Sequence, residues 1–163
     1  MTCDLQTYVD AVHAALVAGT NLEAWRTTYS HAKLFVLNGE APHRQGIDEP
    51  AIPAVVVLPL AWRGGQVADS TDRDVSVELR VQEAEGAVPA SETGTGIISR
   101  TYTAHRQMNA LINAVLADLT TGLDGQDAAW AVRADADFDN SQPPFVTVGM
   151  TISFTSQNTM PNP

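Results

Sequence analysis

The first apolar positions fall at helical spacing. Leu5, Tyr8, Val9, Val12, Leu16 and Val17 recur every three or four residues and form one stripe on a helix. Thr2 or Asp4 suits its N-cap, Asp10 lies on its polar face, and Gly19 suits a left-handed C-terminal stop. After Trp25 the period changes. Ala32-Lys33-Leu34-Phe35-Val36-Leu37 is a short apolar run closed by the turn pair Asn38-Gly39, and it predicts a strand. Gly39, Pro42, Gly46, Pro50 and Pro53 then punctuate a charged stretch over 39–53, where proline excludes helix and predicts a long loop or arm.

Ala54-Val55-Val56-Val57-Leu58-Pro59 is a continuous, mostly β-branched run, which fits a strand covered on both faces. Gly64-Gly65 and the polar stretch to Arg73 read as a turn. Val75, Val77, Leu79 and Val81 then alternate with Ser76, Glu78, Arg80 and Gln82, a half-covered strand that can pair with the previous run as a hairpin. Residues 84–97, rich in Gly, Pro, Ser and Thr, read as a flexible connection.

A second helix is predicted from Thr101 to Thr121, ended by Gly122. Tyr102, His105, Met108, Ile112, Val115, Leu116 and Leu119 share its apolar face, with Leu111 at the margin. Arg100 and Arg106 near its start and Asp118 near its end oppose the helix dipole, a mismatch of a few tenths of a kcal/mol that packing must offset. Ala129-Trp130-Ala131-Val132-Arg133 is a short strand, followed by an acidic turn through Asp135, Asp137 and Asp139. Val146, Val148, Met150, Ile152 and Phe154 alternate with polar or small residues in the last strand.

This order predicts an α+β fold: a mixed or antiparallel sheet of four to five strands, two main helices packed on one face, and a long arm after the first strand. Residues 1–156 read as a single domain and 157–163 as a flexible C-terminal tail. The chain carries no internal repeat and no heptads.

Composition narrows the function classes. Nineteen acids against nine Lys and Arg give 163 residues a formal charge of −10, which argues against a general nucleic-acid binder. Apolar residues make up 44%, enough for a core, and no run approaches the roughly 20 residues of a membrane helix. Met1 to Gly19 holds acids and no Lys or Arg, unlike a secretory signal. The lone Cys3 supports neither an internal disulfide nor a cysteine zinc site.

The chemistry-bearing motifs are incomplete. There is no nucleophile elbow and no Walker-type loop, and Gly94-Thr95-Gly96-Ile97-Ile98 lacks the third glycine and the βαβ setting of a dinucleotide loop. Asp135, Asp137 and Asp139 are spaced like the start of a calcium loop, but Asn140 stands where glycine belongs and Val146 where the closing Glu belongs, so a solvated turn is expected. His13, His31, His43 and His105 are scattered, with no pair at i, i+4, and His105 falls on the apolar stripe of the second helix. No catalytic residue, cofactor or metal is expected. The basic residues are eight Arg and the single Lys33. Arg suits bidentate pairing with carboxylates. Arg44 in the arm, with Arg63 and Arg73 beside the hairpin loop, is therefore expected to meet Asp48, Glu49 or the Asp135, Asp137 and Asp139 cluster of a neighbouring copy. On that expectation, replacing the three arginines by Ala lowers assembly and leaves the fold intact.

The layout resembles that of phage tail terminator proteins, also called tail completion or minor tail proteins. The resemblance runs from Leu5 to Phe154 and is carried by the N-terminal helix feeding Lys33-Leu34-Phe35-Val36, by Ile52-Pro53-Ala54-Val55-Val56-Val57, and by Asp74 to Val81. Leu111-Ile112-Asn113-Ala114-Val115-Leu116, Trp130-Ala131-Val132 and Val148 to Phe154 complete it. It implies a small, non-enzymatic α/β protein of the virion, at the head-proximal end of the tail and assembled in the host cytoplasm. Such a protein closes into a ring, a hexamer, that caps the tail tube, ends its polymerisation and offers a surface to the head connector. The partners implied are further copies, the tube protein and the connector protein, with no specific nucleic acid and no membrane. The family has no residue-level active site to carry over, and the polar insert at 84–97 and the Pro-rich C-terminus depart from its pattern. The alternatives are a head–tail connector or adaptor, a small ligand- or cation-binding enzyme domain, and a monomeric bacterial interaction module.

Overall fold

The computed structural model describes residues 5–39, 52–64, 70–82, 91–92, 98–99, 103–125, 129–133 and 145–157. In chain order its elements are α1 (Leu5–Ala18), α2 (Asn21–Thr28), β1 (Phe35–Asn38), β2 (Ala54–Gly64), β3 (Ser70–Gln82), β4 (Ser91–Glu92), β5 (Ile98–Ser99), α3 (Thr103–Gly122), β6 (Ala129–Arg133) and β7 (Phe145–Gln157). Three helices and a mixed five-stranded sheet of order β1-β2-β3-β7-β6 make an α+β fold.

The alternating runs place themselves. Val75, Val77, Leu79 and Val81 of β3 are fully buried, and Val146, Val148, Met150, Ile152 and Phe154 of β7 are buried beside them in antiparallel register, Val77 opposite Met150 and Leu79 opposite Val148. Val55 and Val57 of β2 extend this apolar face across the hairpin, opposite Leu79 and Val77. Helices α1 and α3 cover it through Tyr8, Val9, Val12 and Leu16 and through Met108, Leu111, Val115 and Leu119. Each such side chain contributes roughly 1.5–3 kcal/mol of transfer free energy, so the shared face holds the layers together.

Ala54 to Val57 are fully buried on both faces of the sheet, as their continuous apolar run predicts. The strand continues through Pro59 to Gly64, further than the apolar run. Register shifts between Pro59 and Ala61, because proline has no N–H for the ladder; Leu60 falls at this irregularity and is 52% exposed. The turn expected up to Arg73 is shorter, since β3 begins at Ser70.

Strand β1 lies at the sheet edge parallel to β2, with Phe35 beside Ala54 and Asn38 beside Val57. Parallel neighbours need a crossover of a dozen or more residues, which accounts for the length of the arm over 39–53. Gly39 closes the strand at φ +86° and donates its N–H to the Val57 carbonyl at 2.9 Å. The 84–97 connection also carries structure: β4 pairs antiparallel with β5 as a separate ribbon.

The helices depart from the sequence expectation in four ways. Val17, expected on the stripe of α1, is 60% exposed, and Ala15 is buried instead. Leu111, expected at the margin of α3, is fully buried, whereas Ile112 and Leu116 are half-buried; the buried stripe is rotated and includes Asp118. Gly19 is not left-handed. A Cβ there would lie 2.6 Å from the Asp118 Cβ, and a Cβ on Gly122 would lie 2.8 Å from the Ala15 Cα, so these glycines permit the close approach of α1 and α3. Finally, α2 is a third helix that the periodicity does not announce.

Candidate functional site

Helix α2 is short and polar, and its start is set from elsewhere. Thr20, at the N-cap position, makes no side-chain cap bond. The carboxylate of Asp118, on α3, takes that role. Its Oδ1 accepts from the Asn21 N–H at 3.1 Å and from Asn21 Nδ2 at 2.6 Å, and its Oδ2 accepts from the Leu22 N–H at 3.0 Å. Asp118 is 2% exposed. The charge that opposes the dipole of its own helix therefore sits at the positive end of another, where orphan N–H groups point at it.

Trp25 seats the other end of α2. Its Nε1 donates to the Gln107 carbonyl at 2.9 Å, and its ring stacks on His31 at 5.0 Å with an interplanar angle of 15°. His31 Nε2 donates to Gln107 Oε1 at 3.0 Å. Arg26 donates to Glu23 and to the His31 carbonyl. Its guanidinium holds the Glu23 carboxyl below the usual carboxylate range, and Glu23 in turn raises Arg26. Between α2 and α3 runs an open cleft of about 310 Å³, whose lining includes Ala24, Trp25, Tyr29 and Asn113 and contains no carboxylate and no imidazole.

The sheet face away from the helices is polar over β3 and β7 and is ordered by side-chain bonds across and along the strands. Ser153 Oγ donates to Asp74 Oδ1 at 2.6 Å, Thr155 Oγ1 to Asp72 Oδ1 at 3.0 Å, and Arg80 Nε to its neighbour Glu78 at 2.6 Å. Asp74 is 6% exposed, while Ser76, Glu78, Arg80, Thr147, Thr151 and Ser153 are half-buried.

The two edges of the sheet differ. Phe35 donates its N–H to the Pro53 carbonyl at 3.0 Å, so the odd-numbered residues of β1 pair with β2 and Val36 turns its backbone outward. Its carbonyl is occupied: His13 Nε2, from α1, donates to it at 3.3 Å. Asn38 Nδ2 donates to Asp10 Oδ1 at 2.9 Å beside it. At the opposite edge, β6 pairs among the described residues with β7 alone. Ala129, Ala131 and Arg133 are exposed there, and Trp130 and Val132 half-buried.

The arginines and acids expected at an interface divide accordingly. Arg44, Asp48, Glu49, Asp135, Asp137 and Asp139 lie outside the described residues, as do His43, Thr2 and Asp4. Arg63 lies in β2, its backbone opposite Asp72. Arg73 is a correction. It sits within β3 and not beside the loop, and it is 9% exposed on the helix-facing side, its guanidinium 5.4 Å from the centroid of the Tyr8 ring. Tyr8 in turn packs against Phe154 at 4.6 Å. Arg73 is thus spent inside its own chain, where the odd-numbered alternation that buries Val75 and Val77 also carries it. Alternation beginning two residues earlier in β3 would have revealed this.

His105 is half-buried on α3, and among the described residues no group of three or more His, Cys, Asp and Glu lies close enough to hold a metal ion. No described helix is long and apolar enough to cross a membrane. Compared with known proteins, the chain matches no family model and no curated sequence.

Proposed function

We propose that this chain is a structural subunit of a tailed phage that assembles with its own copies into a ring, a hexamer, capping the tail tube and presenting a surface to the head. The observation that carries the reading is the layered architecture. Helices α1 and α3 cover one face of the sheet, and the opposite face over β3 and β7 carries polar side chains that bond to one another. A layered domain of this kind can present different surfaces to its two neighbours, as the heterologous contacts of a closed ring require. The resemblance in element order, from Leu5 to Phe154, gives the reading its tail-terminator form. A formal charge of −10 per chain does not forbid the ring, since charges further apart than about 8 Å are screened at physiological salt.

The test is genetic and visual. Virions assembled from a genome in which this gene carries a stop codon are expected to show overlong tails or tails detached from heads. Native mass spectrometry of the purified protein at high concentration is expected to give a particle of about six 17.4 kDa chains. Normal-length tails joined to heads in the mutant refute the reading.

A further inference from the structure

The edge asymmetry of the sheet has a consequence for how two copies meet. The outer edge of β1 is blocked by His13 and overhung by the Asn38–Asp10 bond, whereas β6 has no second strand partner among the described residues. Exposed edges are templates for further pairing. We infer that β6 pairs antiparallel with β6 of a second copy, centred on Ala131, joining the two five-stranded sheets edge to edge about a two-fold axis.

The occupant is identified by the sequence of the strand itself. In the register Ala131 to Ala131, Trp130 falls opposite Val132 of the second copy, and Val132 opposite its Trp130. Both residues lie on the helix-facing side, are packed against the core, and are only half-buried in the single chain. An aromatic ring beside a β-branched side chain is a favourable cross-strand pair, and here it occurs twice. On the other side, Arg133 falls opposite Ala129, so the exposed cation meets a methyl and no like charge. Shifting one strand by two residues opposes only three of the five residues and replaces the two Trp–Val pairs by a single Val132–Val132 contact in one direction or a single Trp130–Trp130 contact in the other. The strand is therefore complementary to itself in one alignment. This contact is isologous, whereas a ring closes through heterologous ones, so the inference does not depend on the proposed function.

Cysteine scanning tests it on the full chain with Cys3→Ser, which removes the one native thiol. Directly opposed residues of antiparallel strands lie about 4.5–5.5 Å apart at Cα, inside the roughly 4.4–6.8 Å span of a disulfide. Ala131→Cys is expected to give a covalent dimer on mild oxidation. Ala129→Cys alone gives little, whereas Ala129→Cys mixed with Arg133→Cys gives the mixed dimer. Without oxidation, sedimentation of the natural chain is expected to move from one to two chains between about 1 and 200 µM, and Ala131→Lys, which sets two cations face to face at an exposed position, weakens that association about tenfold or more. Its thermal melt stays unchanged. A monomer over the whole range, or equal cross-linking at 129 and 131, overturns the inference. Hexamers without the Ala131→Cys disulfide overturn it and leave the ring reading standing; cross-linked dimers that form no hexamer retain it and count against the ring.

Discussion

Replacing Asp118 by Ala removes the cap of a helix to which Asp118 does not belong. The carboxylate accepts three hydrogen bonds at 3.1, 2.6 and 3.0 Å from Asn21 and Leu22 while 2% exposed. A bond to a charged acceptor contributes about 1.5–3 kcal/mol, and losing an N-cap costs about 0.5–2 kcal/mol. Three full contributions do not add, because the carboxylate is desolvated with no cation bonded to it in the cap, and water reaches Asn21 once it is gone. The net loss is therefore about 2–4 kcal/mol, which for a chain of this size lowers Tm by roughly 5–15 °C. Asp118→Asn keeps one acceptor oxygen and turns two N–H donors toward the remaining backbone donor, so it loses nearly as much.

Gly19 supplies the internal control. A methyl at Gly19 occupies the space of the Asp118 carboxylate, 2.6 Å from its Cβ, so Gly19→Ala displaces the cap and costs about 1–3 kcal/mol. In the Asp118→Ala background the collision with the carboxylate is gone and only the 2.6 Å approach to the β-carbon remains, so the same substitution costs less. The double-mutant cycle is expected to show a coupling of about 1–2 kcal/mol. Urea unfolding followed by far-UV circular dichroism gives the four free energies, and amide exchange over Asn21–Thr28 reports the local effect. Additive losses in the cycle, or unchanged exchange in α2 after Asp118→Ala, refute the reasoning.

Gly122→Ala is expected to cost about 1–3 kcal/mol in the same unfolding assay, because its Cβ meets the Ala15 backbone at 2.8 Å and backbone cannot swing aside. Leu111→Ala is expected to cost about 2–5 kcal/mol, and Val17→Ser less than about 0.5, which separates the buried stripe from the apolar periodicity read in sequence. Arg73→Ala is expected to lower the stability of the single chain by about 1–2 kcal/mol, measured by thermal melting at a concentration too low for assembly, because it uncovers Tyr8.

What could be read from the chain depended on whether an element's cause lay within it. β3 and β7 alternate along their own length, and every apolar position read there is buried. Ala54 to Val57 announced coverage on both faces by lacking any polar position. Helix α2 is hidden because its eight residues are too few and too polar to show a stripe, and the capping-box spacing of Thr20 and Glu23 is not the cap it uses: that cap is 97 positions away in the chain, at Asp118. That same residue looked like a dipole mismatch when α3 was considered by itself. Gly19 looked like a stop signal, since a glycine kept for close approach and one kept for a left-handed turn are the same letter. Arg73 resists a reading of this kind further, because its inward direction depends on a strand boundary that the polar stretch before Val75 conceals.

The borrowed cap also orders events in time. When the chain leaves the ribosome, all eight residues of α2 emerge well before Asp118 does. A helix this brief does not sustain itself in water. The segment from Asn21 to Thr28 must therefore wait, unfixed, until α3 has been synthesised and docked.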